Sequence, residues 1–167
     1  MTLMLIRTLG DPVLRETAAP VEVFDDALRQ LAADMTETMY AAPGVGLAAN
    51  QVGLRTACFV YDDREGHAGF VANPRLSEPE GEDTLEEGCL SIPGPYHPTV
   101  RAARVRLAGA DLDGEPLEIV AEGLLARIFQ HETDHLNGLL YIDRLDDAGR
   151  RDVMRQLREF EVQRSEP

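Results

Sequence analysis

The chain contains no lysine: all sixteen of its basic residues are arginine. This excludes Schiff-base catalysis and phosphate binding by a P-loop lysine, both of which need an amine. Positive charge is scarce altogether. The net charge of −14 argues against general nucleic-acid binding, DNA included, and favours solubility and weak repulsion of acidic polymers. Long apolar runs are also missing, so no membrane span is expected. The opening run 1–6, MTLMLI, is cut by Arg7 and followed by no small-residue cleavage site. It does not read as a signal peptide, and a cytoplasmic location is the expectation. Cysteine is limited to Cys58 and Cys89. In a cytosolic chain such residues are more often ligands, nucleophiles or buried apolar groups than disulfide partners.

What is present is the composition of a soluble globular protein, 44% apolar and 28% charged over 167 residues. That length is expected to form one compact domain, 1–167, with a core that needs no disulfide or metal staple. The opening apolar segment is expected to pair with a strand, and residues 11–16 to form a Pro-initiated turn. Leu28, Leu31, Met35 and Met39 recur at three- and four-residue steps, which predicts an amphipathic helix over 25–41 capped by Asp25 or Asp26. The methionines of that stripe belong to the core. Strands are predicted over 55–61, with Cys58 as a core residue, and over 70–72, ending at Asn73-Pro74. His67 is expected in solvent on the turn between them. An acidic hairpin-like stretch follows over 77–87, and residues 94–99 read as a loop. Alternation over 99–108, the turn Asp113-Gly114 and a returning strand over 116–120 predict an antiparallel hairpin. Residues 139–145 read as extended, and a last helix of about 146–163 carries Val153, Leu157 and Phe160 on one stripe. Beside that stripe run Arg151, Arg155 and Arg158, either a solvated, salt-bridged face or a docking surface for a nucleic-acid-containing partner.

The chemistry concentrates in HETDH, residues 131–135. On a helix, Leu124, Ile128, His131 and His135 share one stripe, so two imidazoles continue an apolar face and ask for a metal. Glu132 falls on the flank with Leu125, Phe129 and Leu136, where a poorly hydrated carboxylate suits a general base. A catalytic divalent ion takes three protein ligands and keeps one position open. No histidine follows His135, and Glu159 and Glu161 lie on the last, solvent-facing helix. Cys89, in the segment Glu87-Gly88-Cys89-Leu90-Ser91, is the best third ligand. Upstream, Gly44, Gly46 and Ala49 fit a G-x-G-x-x-A spacing, but a helix precedes and a strand follows, the reverse of a dinucleotide site. Those glycines read instead as letting the backbone approach a ligand closely.

Three segments together, GVGLAANQ (44–51), EGCLS (87–91) and QHETDH (130–135), resemble the three motifs of the peptide deformylases, and the likeness runs from about residue 9 to 145. The resemblance implies an α+β fold in which antiparallel β-sheets pack around a central metal-binding helix, with an N-terminal and a C-terminal helix. It implies hydrolysis of the N-formyl group from the formyl-methionine of newly made polypeptides, with release of formate. Cys89, His131 and His135 would hold one divalent metal ion, iron(II) in the cell with zinc, nickel or cobalt in purified protein. Glu132 would be the base, and the Gln51 amide and Leu90 N–H would stabilise the oxyanion. Val45 and Gly46 would pair with an extended peptide, Val45, Leu90, Leu124 and Ile128 would line a pocket for its methionine, and Gly88 would also bind substrate.

Arg127 stands between lining that pocket and lying on the surface. Glu87 and Asp134 stand between orienting the ligands, or arginines such as Arg101, and being plain surface acids. A general HExxH metallopeptidase and a non-catalytic metal or peptide-binding module are the alternatives, the first weakened by the missing downstream ligand and the second by Glu132. A monomer making transient ribosome contact is expected.

Overall fold

The computed structural model describes residues 2–167. Helix α1 spans Asp26–Ala41, and the Asp25 carboxylate caps it by accepting from the Leu28 N–H at 3.0 Å. After Pro43-Gly44 come strand β1 (Gly46–Ala48), a 3-10 turn (Ala49–Val52) and strand β2 (Cys58–Asp62). Strands β3 (Ala68–Glu80), β4 (Asp83–Cys89), β5 (Ile92–Arg101), β6 (Arg104–Ala110) and β7 (Pro116–Glu122) follow. Helix α2 (Gly123–Leu136), a 3-10 turn (Tyr141–Arg144) and helix α3 (Asp147–Ser165) complete the chain.

β1, β2, β3, β6 and β7 form one antiparallel sheet in that order, and β4 pairs with β5 in a second. Period-two alternation sends successive side chains of β2 to opposite faces. Phe59 and Tyr61 join Val71, Val105 and Leu107 under Leu125, Ile128 and Phe129 of α2. Cys58 and Val60 face Leu28, Met35 and Met39 of α1. The five-stranded sheet therefore lies between α1 and α2, which places HETDH against strands, as expected. Met35 and Met39 are fully buried. A third cluster, Ile92, Leu140, Tyr141, Ile142, Val153 and Leu157, ties α3 to β5. No helix among the described residues is long and apolar enough to cross a membrane.

Several local expectations are corrected. Met1 lies outside the described residues, and residues 3–9 form no strand; Arg7 N–H and Leu9 N–H make single bonds to the Gln51 and Ser91 carbonyls (2.6 and 2.8 Å). Asn73-Pro74 does not end β3, because the left-handed Asn73 (φ 53°) sits at a bulge through which the strand continues. Residues 77–87 are no hairpin: β3 pairs with β6, and β4 with β5. Residues 94–99 belong to β5 rather than a loop. The alternating run 99–108 is split between two sheets. At the break the Gln130 side chain stands in for a strand, accepting from Ala102 N–H (3.0 Å) and donating to Ala102 C=O (2.9 Å). Residues 139–145 are not extended: Tyr141–Arg144 form a 3-10 turn, which sends Leu140, Tyr141 and Ile142 together into the cluster with Ile92, Val153 and Leu157. Asp143 closes this turn by accepting from the Leu140 N–H at 2.8 Å.

Candidate metal centre and cleft

The left-handed Gly123 (φ +59°) opens α2, and the Asn137-Gly138 pair (Gly138 φ +75°) follows its end. Four residues apart on this helix, His131 and His135 bring their Nε2 atoms to 3.1 Å. The end of β4 delivers Cys89, whose Sγ lies 3.3 Å from His135 Nε2. All three donor atoms fall within 4.8 Å of one another. Facing lone pairs at such distances need a proton or a cation between them, and one sulfur with two imidazole nitrogens is a donor set that suits a divalent ion with an open position. The residues therefore fit a metal.

The imidazole of His131 is fixed from behind. Its Nδ1–H donates to Glu87 Oε2 at 2.8 Å, leaving Nε2 to face the other donors. Glu87 is gripped by Arg101 through Nε and Nη2 (3.1 and 2.6 Å) and by Arg127 Nη1 (2.8 Å). Arg101 Nη1 reaches Asp134 at 2.6 Å, and Asp134 is held in turn by Arg144 through Nε and Nη2 (3.0 and 2.6 Å). Burial by itself would raise the Glu87 pKa; hydrogen bonds from His131 and Arg101 outweigh it and hold the carboxyl well below its usual range. Glu87 and Asp134 are thus buried partners of ligand and arginine, not surface acids. Arg127 is 4% exposed and donates to Glu87 and to the Thr99 and Asp83 carbonyls (2.8 and 2.9 Å). It lines the cleft, which removes the surface reading.

Glu132 is 4% exposed, and its Oε2 is buried with no hydrogen-bond partner. Burial is the main cause that pushes its carboxyl up to about 7. Its Oε1 lies so close to Gly46 that a Cβ there would collide with it, which explains the glycine. A cleft of about 460 Å³ opens over these groups, lined by Val45, Gly88, Leu90, Leu124, Ile128 and Glu132 among others. Gly46, Gln51 and His135 do not line it. Gln51 is 1% exposed, and its Nε2 donates to Ser91 Oγ at 3.1 Å and lies 3.7 Å from Cys89 Sγ. The Ala48 N–H orients that amide through Oε1 at 2.9 Å.

Cys58 is fully buried, and burial pushes its thiol up to about 12, as befits a core residue. His67 is exposed as expected, though its ring meets Asp63 at 2.7 Å. Sequence reasoning did not find Tyr96, which lines the cleft, or Tyr141, whose ring stacks on His131 with centroids 6.4 Å apart. It also passed over Asn50, which donates to the His135 carbonyl. The single available signal was its place inside the segment 44–51, beside Gln51.

Residues 3–151 match the family model described as polypeptide deformylase. The peptide deformylase of Acidothermus cellulolyticus is 50% identical over 161 residues, covering 96% of this chain and 89% of the relative. Among solved structures, a peptide deformylase from Legionella pneumophila superposes with a TM-score of 0.92 at 43% identity, covering 99% of this chain and all of the other. The Synechococcus elongatus peptide deformylase, solved in complex with actinonin, gives a TM-score of 0.87 at 41% identity, covering 93% of this chain and 85% of that one. Likeness in sequence and backbone over nearly the whole length, together with the cleft and its three donors, means that the chain belongs to the peptide deformylase family.

Proposed function

We infer that this chain removes the formyl group from the N-terminal formyl-methionine of newly synthesised polypeptides, releasing formate. One observation carries the mechanism: Glu132 holds an unpartnered, buried carboxylate oxygen beside the Cys89, His131 and His135 donors. Those three residues would hold the ion, which we take to be iron(II) in the cell; a thiolate with two imidazoles also admits zinc, nickel or cobalt. When bound, the ion supplies Lewis-acid activation of water and polarisation of the formyl carbonyl.

Glu132 takes the proton of the attacking water and hands it to the departing amine, a task suited to a carboxyl poised near neutrality. The Gln51 Nε2–H group, already aimed toward Cys89, and the Leu90 backbone N–H serve as donors to the oxyanion. The peptide adds as a strand to the open edge of β1, which pairs with β2 alone. The Val45 carbonyl is taken by the Asp62 N–H at 2.9 Å. Alternation therefore leaves the Gly46 N–H and C=O for the substrate, while the Val45 side chain joins Leu90, Leu124 and Ile128 around the methionine and Gly88 lines the cleft beside them.

The enzyme works in the cytoplasm as a monomeric single domain and touches the ribosome transiently through α3. The experiment that separates this activity from a general metallopeptidase is anaerobic assay of metal-reconstituted protein on formyl-Met-Ala-type peptides. Formate is expected with internal peptide bonds intact, and internal cleavage without formate would overturn the assignment.

A further inference from the structure

The far wall of the cleft is built in a way that strand pairing does not support. In the β4–β5 ladder Glu87 pairs with His97 and Cys89 with Ile92. A single residue, Gly88, therefore faces the four residues 93–96. Two of the four, Pro93 and Pro95, have no N–H, and Gly94 is left-handed (φ +107°). All four line the cleft. Such a bulge needs another source of order.

That source is one face of α3. Asp152, Gln156 and Phe160 stand at i, i+4 and i+8, on a single helical stripe. Gln156 acts as a substitute strand partner: its Oε1 accepts from the Tyr96 N–H at 3.2 Å and its Nε2 donates to the Tyr96 C=O at 3.0 Å. Gln156 Nε2 also donates to Asp152 Oδ2 (2.8 Å), and the same oxygen meets His97 Nδ1 at 3.1 Å. The Phe160 ring packs on Gly94 so closely that a Cβ would not fit between them. Held this way, the Tyr96 ring lies over Gly88, where a Cβ would come within 2.6 Å of its Cε1. Tyr96 is nonetheless 61% exposed, which presents an aromatic face to the cleft beside the Gly88-Cys89 segment.

We propose that this stripe of α3 positions Tyr96 as the wall against which the residues following formyl-methionine pack, with Gln156 the positioning residue, so that α3 sets the preference for apolar or aromatic side chains there. The proposal rests on the deformylase reading of the cleft.

The test compares formyl-methionine amide with a longer formyl-Met peptide carrying an aromatic residue, in metal-loaded wild-type, Gln156→Met, Tyr96→Ser and double-variant protein. Methionine keeps the length of the side chain but neither hydrogen bond. In Gln156→Met, KM for the longer peptide is expected to rise roughly three- to tenfold, the scale of one or two modest hydrogen bonds, with kcat held within about twofold. KM for formyl-methionine amide is expected to stay unchanged, and the Tyr96 amide to exchange its hydrogen faster. Because Gln156 acts through Tyr96, adding Gln156→Met to Tyr96→Ser should produce no further rise. Equal effects on both substrates, no effect on either, or additivity with Tyr96→Ser would overturn the proposal alone. Absence of formate from both substrates with wild-type protein would overturn the deformylase reading and this proposal together.

Discussion

Cys58 and Cys89 show how one residue type acquires opposite roles from its surroundings. Cys58 sits among Met35, Met39 and Val60, fully buried, with its thiol pushed up to about 12. Cys89 is half-buried beside two imidazoles. A maleimide should therefore label the folded, metal-free protein once, at Cys89, and reach Cys58 only after denaturation. Added zinc should suppress the first labelling, and mass spectrometry of the digested protein reads both sites. Labelling of Cys89 at an undiminished rate in saturating zinc would contradict its place among the ligands. The residues legible in the sequence, His131, His135, Glu132 and Cys89, are those whose own chemistry sets them apart from their neighbours. Gln51 and Leu90 were reached only through resemblance, because an amide side chain and a backbone N–H carry no signature of their own. Tyr141 gave no signal, since its contact with His131 depends on a 3-10 turn where the sequence reads as an extended segment.

At the scale of elements, helix-borne side chains hold the β4–β5 sheet in place. Gln130 of α2 and Gln156 of α3 each bond both backbone groups of a residue at a break in β pairing, Ala102 and Tyr96. Glu87 of β4, Arg101 of β5 and Asp134 of α2 form a buried chain of charges, with the Arg101 and Glu87 side chains 3% and 5% exposed. Arg101→Leu would remove the partner the two carboxylates share, leaving Glu87 to Arg127 and His131 and Asp134 to Arg144. The cost is therefore expected at about 3 kcal/mol, the lower end of the range for breaking a buried pair. Urea unfolding should report a loss of that size, and a loss indistinguishable from that of a surface arginine would show that the chain of charges contributes little. The helices themselves were legible because periodicity and capping are local: α1 begins after Asp25 and α3 after Asp146, whose carboxylate accepts from the Gly149 N–H at 2.7 Å. Strand partners were less legible. The alternation of residues 99–108 is compatible with one strand, and only Gln130, far along the chain, divides it between two sheets.

Over the whole molecule, the five-stranded sheet between α1 and α2 makes a rigid floor, and the cleft lies where β1, the end of β4 and α2 meet. The charge is unevenly spread. The chain carries −14 overall, yet Arg151 and Arg158 of α3 are exposed and make no ion pair among the described residues, whereas Arg155 is engaged by Asp152 and Glu159. Of the basic stripe, these two fit the docking reading and Arg155 the solvated one. Reversing both charges, Arg151→Glu with Arg158→Glu, should reduce co-sedimentation with ribosomes and make the remainder less dependent on salt. Unchanged co-sedimentation would dispose of ribosome contact through this face. The family and its general architecture were legible from three short motifs because those motifs hold the chemistry. The wall that α3 builds was not, because residues 93–96 and the Asp152, Gln156 and Phe160 stripe are distant in sequence and meet only in the fold.

The most direct test of the mechanism is formate release by metal-loaded Glu132→Gln protein, measured anaerobically beside wild type with the metal content of each determined. Glutamine keeps the shape of the side chain but cannot take up the proton. The variant is expected to hold its metal at wild-type stoichiometry and to lose formate release by about 10²- to 10⁴-fold, the range of general acid–base assistance. A metal-loaded variant that releases formate at the wild-type rate would contradict the role of Glu132 and with it the central claim.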